Sequence, residues 1–231
     1  MRLDKFLSQN SDSSRSLIQQ AIKAGRVGVN NVIAKKGDQK LQGDEVITLD
    51  GNIVEAFKTR YLMLHKPAGY VCANSDSDYP VVVDLIRLPR WQELQIVGRL
   101  DIDTTGLVLL TDDGQWNHRI TSPRHECNKI YRVTTANPIS AETAELFATG
   151  VQLHGEKAAT RPAQLELISS HEARLTIHEG KYHQVKRMFA AAGNLVVALH
   201  RESIGNIQLD PALAPGEYRP LTQAEIMSVT P

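Results

Sequence analysis

The sequence predicts an α+β protein in two unequal parts: a small α+β N-terminal unit, and a larger unit built on a mixed, mostly antiparallel β-sheet with flanking helices. Three observations carry this reading. Residues 1–55 show two helical spacings followed by short β-prone runs, whereas from residue 61 onward β-prone runs dominate, with helices inserted between them. The 231 residues are 42% apolar and 23% charged, ordinary for a globular chain long enough to bury a full core. Charge is also segregated. The 26 Lys+Arg balance the 26 Asp+Glu, yet residues 1–40 are net +5 and the remainder net −5.

The elements follow in order. Residues 2–9 place Leu3, Phe6 and Leu7 on one helical face. Ser13 or Ser14 suits the N-cap of a second helix, on which Leu17, Ile18, Ala21 and Ile22 form a stripe and which Gly25 stops. Val27-Gly28-Val29, Asn30-Asn31 and Val32-Ile33 read as a hairpin. Gly43-Asp44 turns into a strand over 45–49, Asp50-Gly51 is a further turn, and the chain then enters a linker, set at 56–60 between units 1–55 and 61–231. In the second unit, strands are expected at 61–65, 96–97, 106–111, 129–135, 164–168, 173–178 and 195–200. Helices are expected at 116–121, at 140–149 behind Ser140, and at 181–192 before Gly193-Asn194. A last helix opens at Thr222, whose capping-box partner is Glu225.

Composition excludes several functions. The longest near-apolar stretch, residues 188–199, spans 12 residues, against the roughly 20 that a membrane helix needs, so no membrane association is expected. The N-terminus shows no secretory pattern, and Cys72 and Cys127 lie far apart, which suits reduced thiols in the cytoplasm. No GxGxxG, P-loop, HExxH or GxSxG motif occurs, and His178 and His183 lack a third ligand at a sensible distance, so no metal is expected. The basic first segment, with Arg2, Lys5, Arg15, Lys23 and Arg26, suits contacts to a phosphate backbone, although a solvated helix face would carry the same charges.

Polar residues with chemical potential gather in three places. Residues 98–106 form a loop between apolar segments, holding Asp101 and Asp103. In an extended chain these carboxylates would face opposite sides, and either alone could simply close an Asx turn. Residues 178–187 bring His183, Lys186 and Arg187 to the start of a helix, from where a cation could meet a carboxylate across a cleft. Arg119, Arg124, His125, Lys129 and Arg132 surround Tyr131, a mixture that suits an RNA strand with a stacked base, or else a strand aromatic with basic neighbours.

At these residues the chain resembles bacterial ribosomal RNA pseudouridine synthases of the RsuA type, over nearly its whole length. Arg2-Leu3-Asp4-Lys5, Ser14-Arg15-Ser16 and residues 25–30 resemble an S4 RNA-binding domain. Lys66-Pro67-Ala68-Gly69 resembles the family's first motif. Gly98-Arg99-Leu100-Asp101 with residues 104–114 resembles the catalytic motif. Lys129-Ile130-Tyr131, residues 180–188 and Gly216-Glu217-Tyr218-Arg219 match the remaining ones.

The resemblance implies the pseudouridine synthase fold and an isomerase that converts one uridine of 16S rRNA, uridine 516 by analogy, to pseudouridine without cofactor or metal. It makes Asp101 the nucleophile, Tyr131 the residue that stacks on the flipped uracil, and Lys186 the partner that keeps Asp101 ionised. Arg187 is the alternative partner. Arg99, Leu100, Val185, Lys129 and His183, with Arg187, would bind substrate. Lys186 stands where other branches carry Arg, and Thr105 where many large-subunit relatives carry Glu, which favours the small-subunit branch. The implied partner is 16S rRNA or the assembling small subunit, with a monomer as the default. The readings set against this are a synthase acting on 23S rRNA, a non-catalytic S4 ribosome-assembly factor, and a hydrolase using Asp101 with Asp112 or Asp113.

Overall fold

In the computed structural model, which describes residues 1–88, 90–122 and 127–229, the chain divides into the units Met1–Lys58 and Thr59–Pro231. In the first, α1 (Leu3–Asn10) and α2 (Arg15–Lys23) pack on an antiparallel sheet. Its strands β1 (Val27–Val29), β2 (Val32–Ile33), β3 (Ile47–Leu49) and β4 (Asn52–Ile53) run in the order β2-β1-β3-β4. Leu3, Leu7, Ile18, Ala21 and Ile22 bury against Val27, Val29 and Ile47. Ser14 is the N-cap of α2, its hydroxyl accepting the Leu17 N–H. The buried stripe is narrower than the sequence suggests: Leu17 is 53% exposed, because an i, i+3, i+4 set already fills the sheet-facing arc. Asn30 and Asn31 both take positive φ, as a two-residue hairpin turn requires. A second such turn at Asp50-Gly51 returns the chain as β4, so residues 52–53 are sheet where a linker approach was expected.

The second unit holds β5 (Tyr61–Lys66), β6 (Gln95–Val97), β7 (Thr105–Thr111), α3 (Gly114–Thr121), β8 (Lys129–Thr135), α4 (Ala141–Thr149), β9 (Gln164–Leu167) and β10 (Glu172–Ile177). It continues with α5 (Gln184–Ala191), β11 (Val196–Ile204), β12 (Ile207–Gln208), β13 (Tyr218–Pro220) and α6 (Gln223–Met227). The sheet order is β13-β5-β7-β11-β8-β10-β9, with β6 also on β7 and β12 on β11. Among the described strands only β7 and β11 pair in parallel, and Val71 and Val81 form an isolated parallel bridge.

The apolar run of β7 is central and covered on both faces. Val108 and Leu110 join a core with Phe147 and Phe189, while Leu107 and Leu109 join another around Trp116. Gly106 makes the β7–β11 pairing possible. A Cβ there would lie 2.3 Å from the Arg201 carbonyl oxygen, and its φ of +106° suits glycine. This contact brings β11 against the loop that precedes β7.

Candidate active site

The 98–104 loop leaves β6 through Gly98 (φ +75°) and enters β7 at Thr105. Buried Leu100 anchors it, and the Leu100 N–H donates to the Cys72 sulfur at 3.3 Å. The Thr104 N–H donates to the Asp101 carbonyl (3.1 Å), and the Gly69 N–H to that of Ile102 (2.8 Å). Lys66 lies wholly buried beneath: its ammonium donates to the carbonyls of Pro67 (3.0 Å), Ile102 (3.2 Å) and Thr104 (2.7 Å). Burial pushes its pKa down. Arg201, 1% exposed, holds the loop through the carbonyls of Gly98 and Leu107, both at 2.8 Å. Buried cations thus satisfy backbone carbonyls that a loop would otherwise leave unpaired.

On this mount the Asp101 carboxylate is 25% exposed and meets two groups from the start of α5. Lys186 Nζ lies 3.2 Å from Oδ2, and His183 Nε2 lies 3.4 Å from Oδ1. Lys186 also donates to Asp103 Oδ1 at 2.6 Å. The segment is a turn rather than extended, so the condition under which Asp101 and Asp103 would face apart is not met. The turn closed by Thr104 brings both carboxylates to one ammonium. Burial opposes the charge on Lys186, but Asp103 and Asp101 outweigh it and raise its pKa. Lys186 in turn lowers the pKa of Asp103.

The helix bearing Lys186 starts at Gln184, later than the spacing suggests, because His183 sits at φ +47° and ends a turn rather than opening a helix. That turn, held by the Lys181 N–H on Gln184 Oε1 (2.8 Å), aims His183 at Asp101. Arg187 faces elsewhere, donating to Glu156 (3.0 Å), to the Tyr182 carbonyl (3.0 Å) and to the His154 carbonyl. Of the two neighbouring cations, Lys186 is therefore the one at Asp101.

Tyr131 is buried in one core cluster with Leu100 and Val185, and its hydroxyl lies 3.4 Å from Arg201 Nη1. It is a core aromatic rather than part of a surface basic row: Arg132, on the opposite face of β8, is exposed and pairs with Glu172. Arg124 and His125 of that row lie outside the described residues. Lys129 turns its ammonium onto the Cys127 carbonyl (2.9 Å), and burial pushes its pKa down, so it does not join the Asp101 cluster. Arg99 has an exposed side chain, while its carbonyl accepts a 3.4 Å bond from Arg201.

In the first unit, Arg2 and Arg15 both bind the buried Asp4 carboxylate, which they hold down to about 2 against the opposing effect of burial. Arg26 pairs with Asp50. These three guanidiniums are thus internally paired though half-exposed, while Lys5 and Lys23 are exposed.

Asp112 is bound by Arg60, and Asp113 caps α3 while accepting the Tyr61 hydroxyl, so both serve structure rather than a hydrolytic pair. No group of three or more metal-ligating side chains occurs among the described residues.

The sequence reading missed Arg201 and the role of Lys66 as a clamp. A signal for Arg201 existed: it alternates with buried Leu199 and Ser203, so strand period places its charge inward.

A carboxylate mounted on a sheet-held loop, with a lysine on it and a buried tyrosine packed in one core with the loop's Leu100, joined to an S4-like unit, defines a class. The family model described as RNA pseudouridylate synthase matches residues 60–191, and that of the S4 domain matches residues 1–47. The chain belongs to the RNA pseudouridylate synthase family. It is 56% identical over 230 residues to "Ribosomal small subunit pseudouridine synthase A" of Yersinia pestis, covering 99% of this chain and 98% of that one. The protein of the same name from Escherichia coli K12 is also 56% identical, with 99% and 100% covered. That of Haemophilus influenzae is 51% identical, with 98% of each covered. A solved structure described as a crystal structure of pseudouridylate synthase superposes with a TM-score of 0.73 at 48% identity, covering 100% of both chains.

Proposed function

We propose that this protein isomerises one uridine of small-subunit ribosomal RNA to pseudouridine, with Asp101 as the nucleophile. The observation that carries the assignment is the Asp101–Lys186 pair at 3.2 Å on the clamped loop. The substrate comes from the names of the full-length relatives. In this reaction the bond from ribose C1′ to uracil N1 breaks and a bond from C1′ to C5 forms. C5 loses a proton and N1 gains one, so the step balances with no oxidant, reductant or group donor.

Each residue has a part in this reading. Lys186, 3.2 Å from Oδ2, pairs with the Asp101 carboxylate and aims it. Asp101 attacks either the ribose anomeric carbon or the uracil ring. The target base leaves its stack, at a cost of a few kcal/mol, and rests among Tyr131, Leu100 and Val185, where water is excluded and the detached base can turn without hydrolysis. Arg99 and His183 contact the RNA at the loop. Lys5 and Lys23, with the outer faces of Arg2, Arg15 and Arg26, meet phosphates in the S4 unit. The protein acts as a monomer in the cytoplasm, on the rRNA or the assembling small subunit.

The test is to map pseudouridine by carbodiimide modification and reverse transcription in a strain lacking the protein and in one supplied with it. One uridine of the small-subunit RNA should lose and regain its stop. A stop confined to large-subunit RNA, or none at all, would overturn the substrate.

A further inference from the structure

We infer that Arg201 is a positioning residue for the reaction proposed above: its guanidinium ties the Asp101 loop and Tyr131 into one unit. The inference rests on that reading for its chemistry but on separate geometry. The side chain is 1% exposed, and its hydrogen bonds among the described residues go to neutral oxygens: the carbonyls of Leu107 and Gly98 at 2.8 Å, the Arg99 carbonyl at 3.4 Å and the Tyr131 hydroxyl at 3.4 Å. Burying a cation without a carboxylate is expensive. An apolar side chain at this inward position of β11 would fill the core without that penalty.

The placement of the bonds shows what the cation contributes. Gly98 and Arg99 precede Asp101, and Leu107 follows it, so one planar fork grips the loop on both sides of the carboxylate. Gly106 is fitted to Arg201, since a Cβ there would collide with its backbone, whereas Gly98 is called for by its own φ of +75°. From the same Nη1 the guanidinium reaches the Tyr131 hydroxyl, and its carbon stands 6.0 Å from the ring centroid. The two longer contacts are ones that can shorten when a base fills the site. Lysine cannot replace the fork, since an ammonium is a point donor.

Full-length wild type, Arg201→Lys, Tyr131→Phe and the double variant are compared on small-subunit rRNA. Arg201→Lys should lower kcat by about tenfold or more while KM stays within about twofold, as for a group that orients the reacting centre. In the Tyr131→Phe background the same change should have a smaller effect, because the link is already cut. A kcat within about twofold of wild type, or effects that simply multiply in the double variant, would overturn the inference.

Hydrogen–deuterium exchange on Tyr131→Phe tests the link without any substitution at Arg201. Amides in 98–107 should exchange faster, and unchanged exchange would overturn the coupling. A purely chemical role for the hydroxyl would leave that exchange unmoved. A wild type that makes no pseudouridine would defeat the functional reading instead, while the exchange experiment would still decide the coupling.

Discussion

At Asp101, one ammonium serves two carboxylates, and the balance of charge depends on Lys186. Removing it in Lys186→Met should cut kcat by roughly 10²–10³, the scale for loss of one oriented charge at a reacting centre, with the fold retained. Single-turnover kinetics would measure it, and near-normal turnover would move the role away from Lys186. The pH window follows from the shifts. Lys186 is raised, so its pairing contributes fully below its ordinary value near 10.5 and is lost as pH rises through the folded value. Asp103 is lowered, so its share is present above 3.8 and is lost as pH falls through its folded value. The pair is therefore intact throughout the neutral range. Asp101 and Lys186 were legible because each falls in a dense, recognisable motif. Arg201 was not, because a lone charge in an apolar strand carries no motif, and only the strand's alternation turns it inward.

Helix α5 shows how an element sets the site. Its inward residues Val185, Met188 and Phe189 are buried, and Phe189 meets Phe147 of α4 edge to face at 5.1 Å. That packing fixes the rotation of the helix and so the direction of Lys186. Phe189→Ala should cost about 3–5 kcal/mol of stability by leaving a cavity, read by denaturant unfolding, and should slow turnover in the fraction that remains folded. Most strands and helices were legible from periodicity. The short β4, β12 and β13 were not, since two or three residues cannot display a period and their pairing is decided by partners distant in sequence. The onset of α5 was missed because the positive φ of His183 is imposed by the turn before it, not by propensity.

Across the whole molecule, the zero net charge is a cancellation between a basic first segment and an acidic remainder. On the proposed function, long-range attraction to RNA should then be weak and docking should rest on local cations. Changing both Lys5 and Lys23 to Gln should weaken rRNA binding and reduce the slope of log K against log salt by about 1.5, if each meets one phosphate. Titration at several salt concentrations would show it, and an unchanged slope would remove those lysines from the interface. Acid should strike the first unit through Asp4. Its contribution is present above its ordinary 3.8 and is lost as pH falls toward about 2. Asp4→Asn should lower stability by about 1–3 kcal/mol at neutral pH and flatten the melting temperature over that acid range. The most direct test of the central claim is pseudouridine formation by purified Asp101→Asn on small-subunit rRNA. The variant should bind the RNA as wild type does and form no pseudouridine, whereas product at the wild-type rate would contradict Asp101 as the nucleophile.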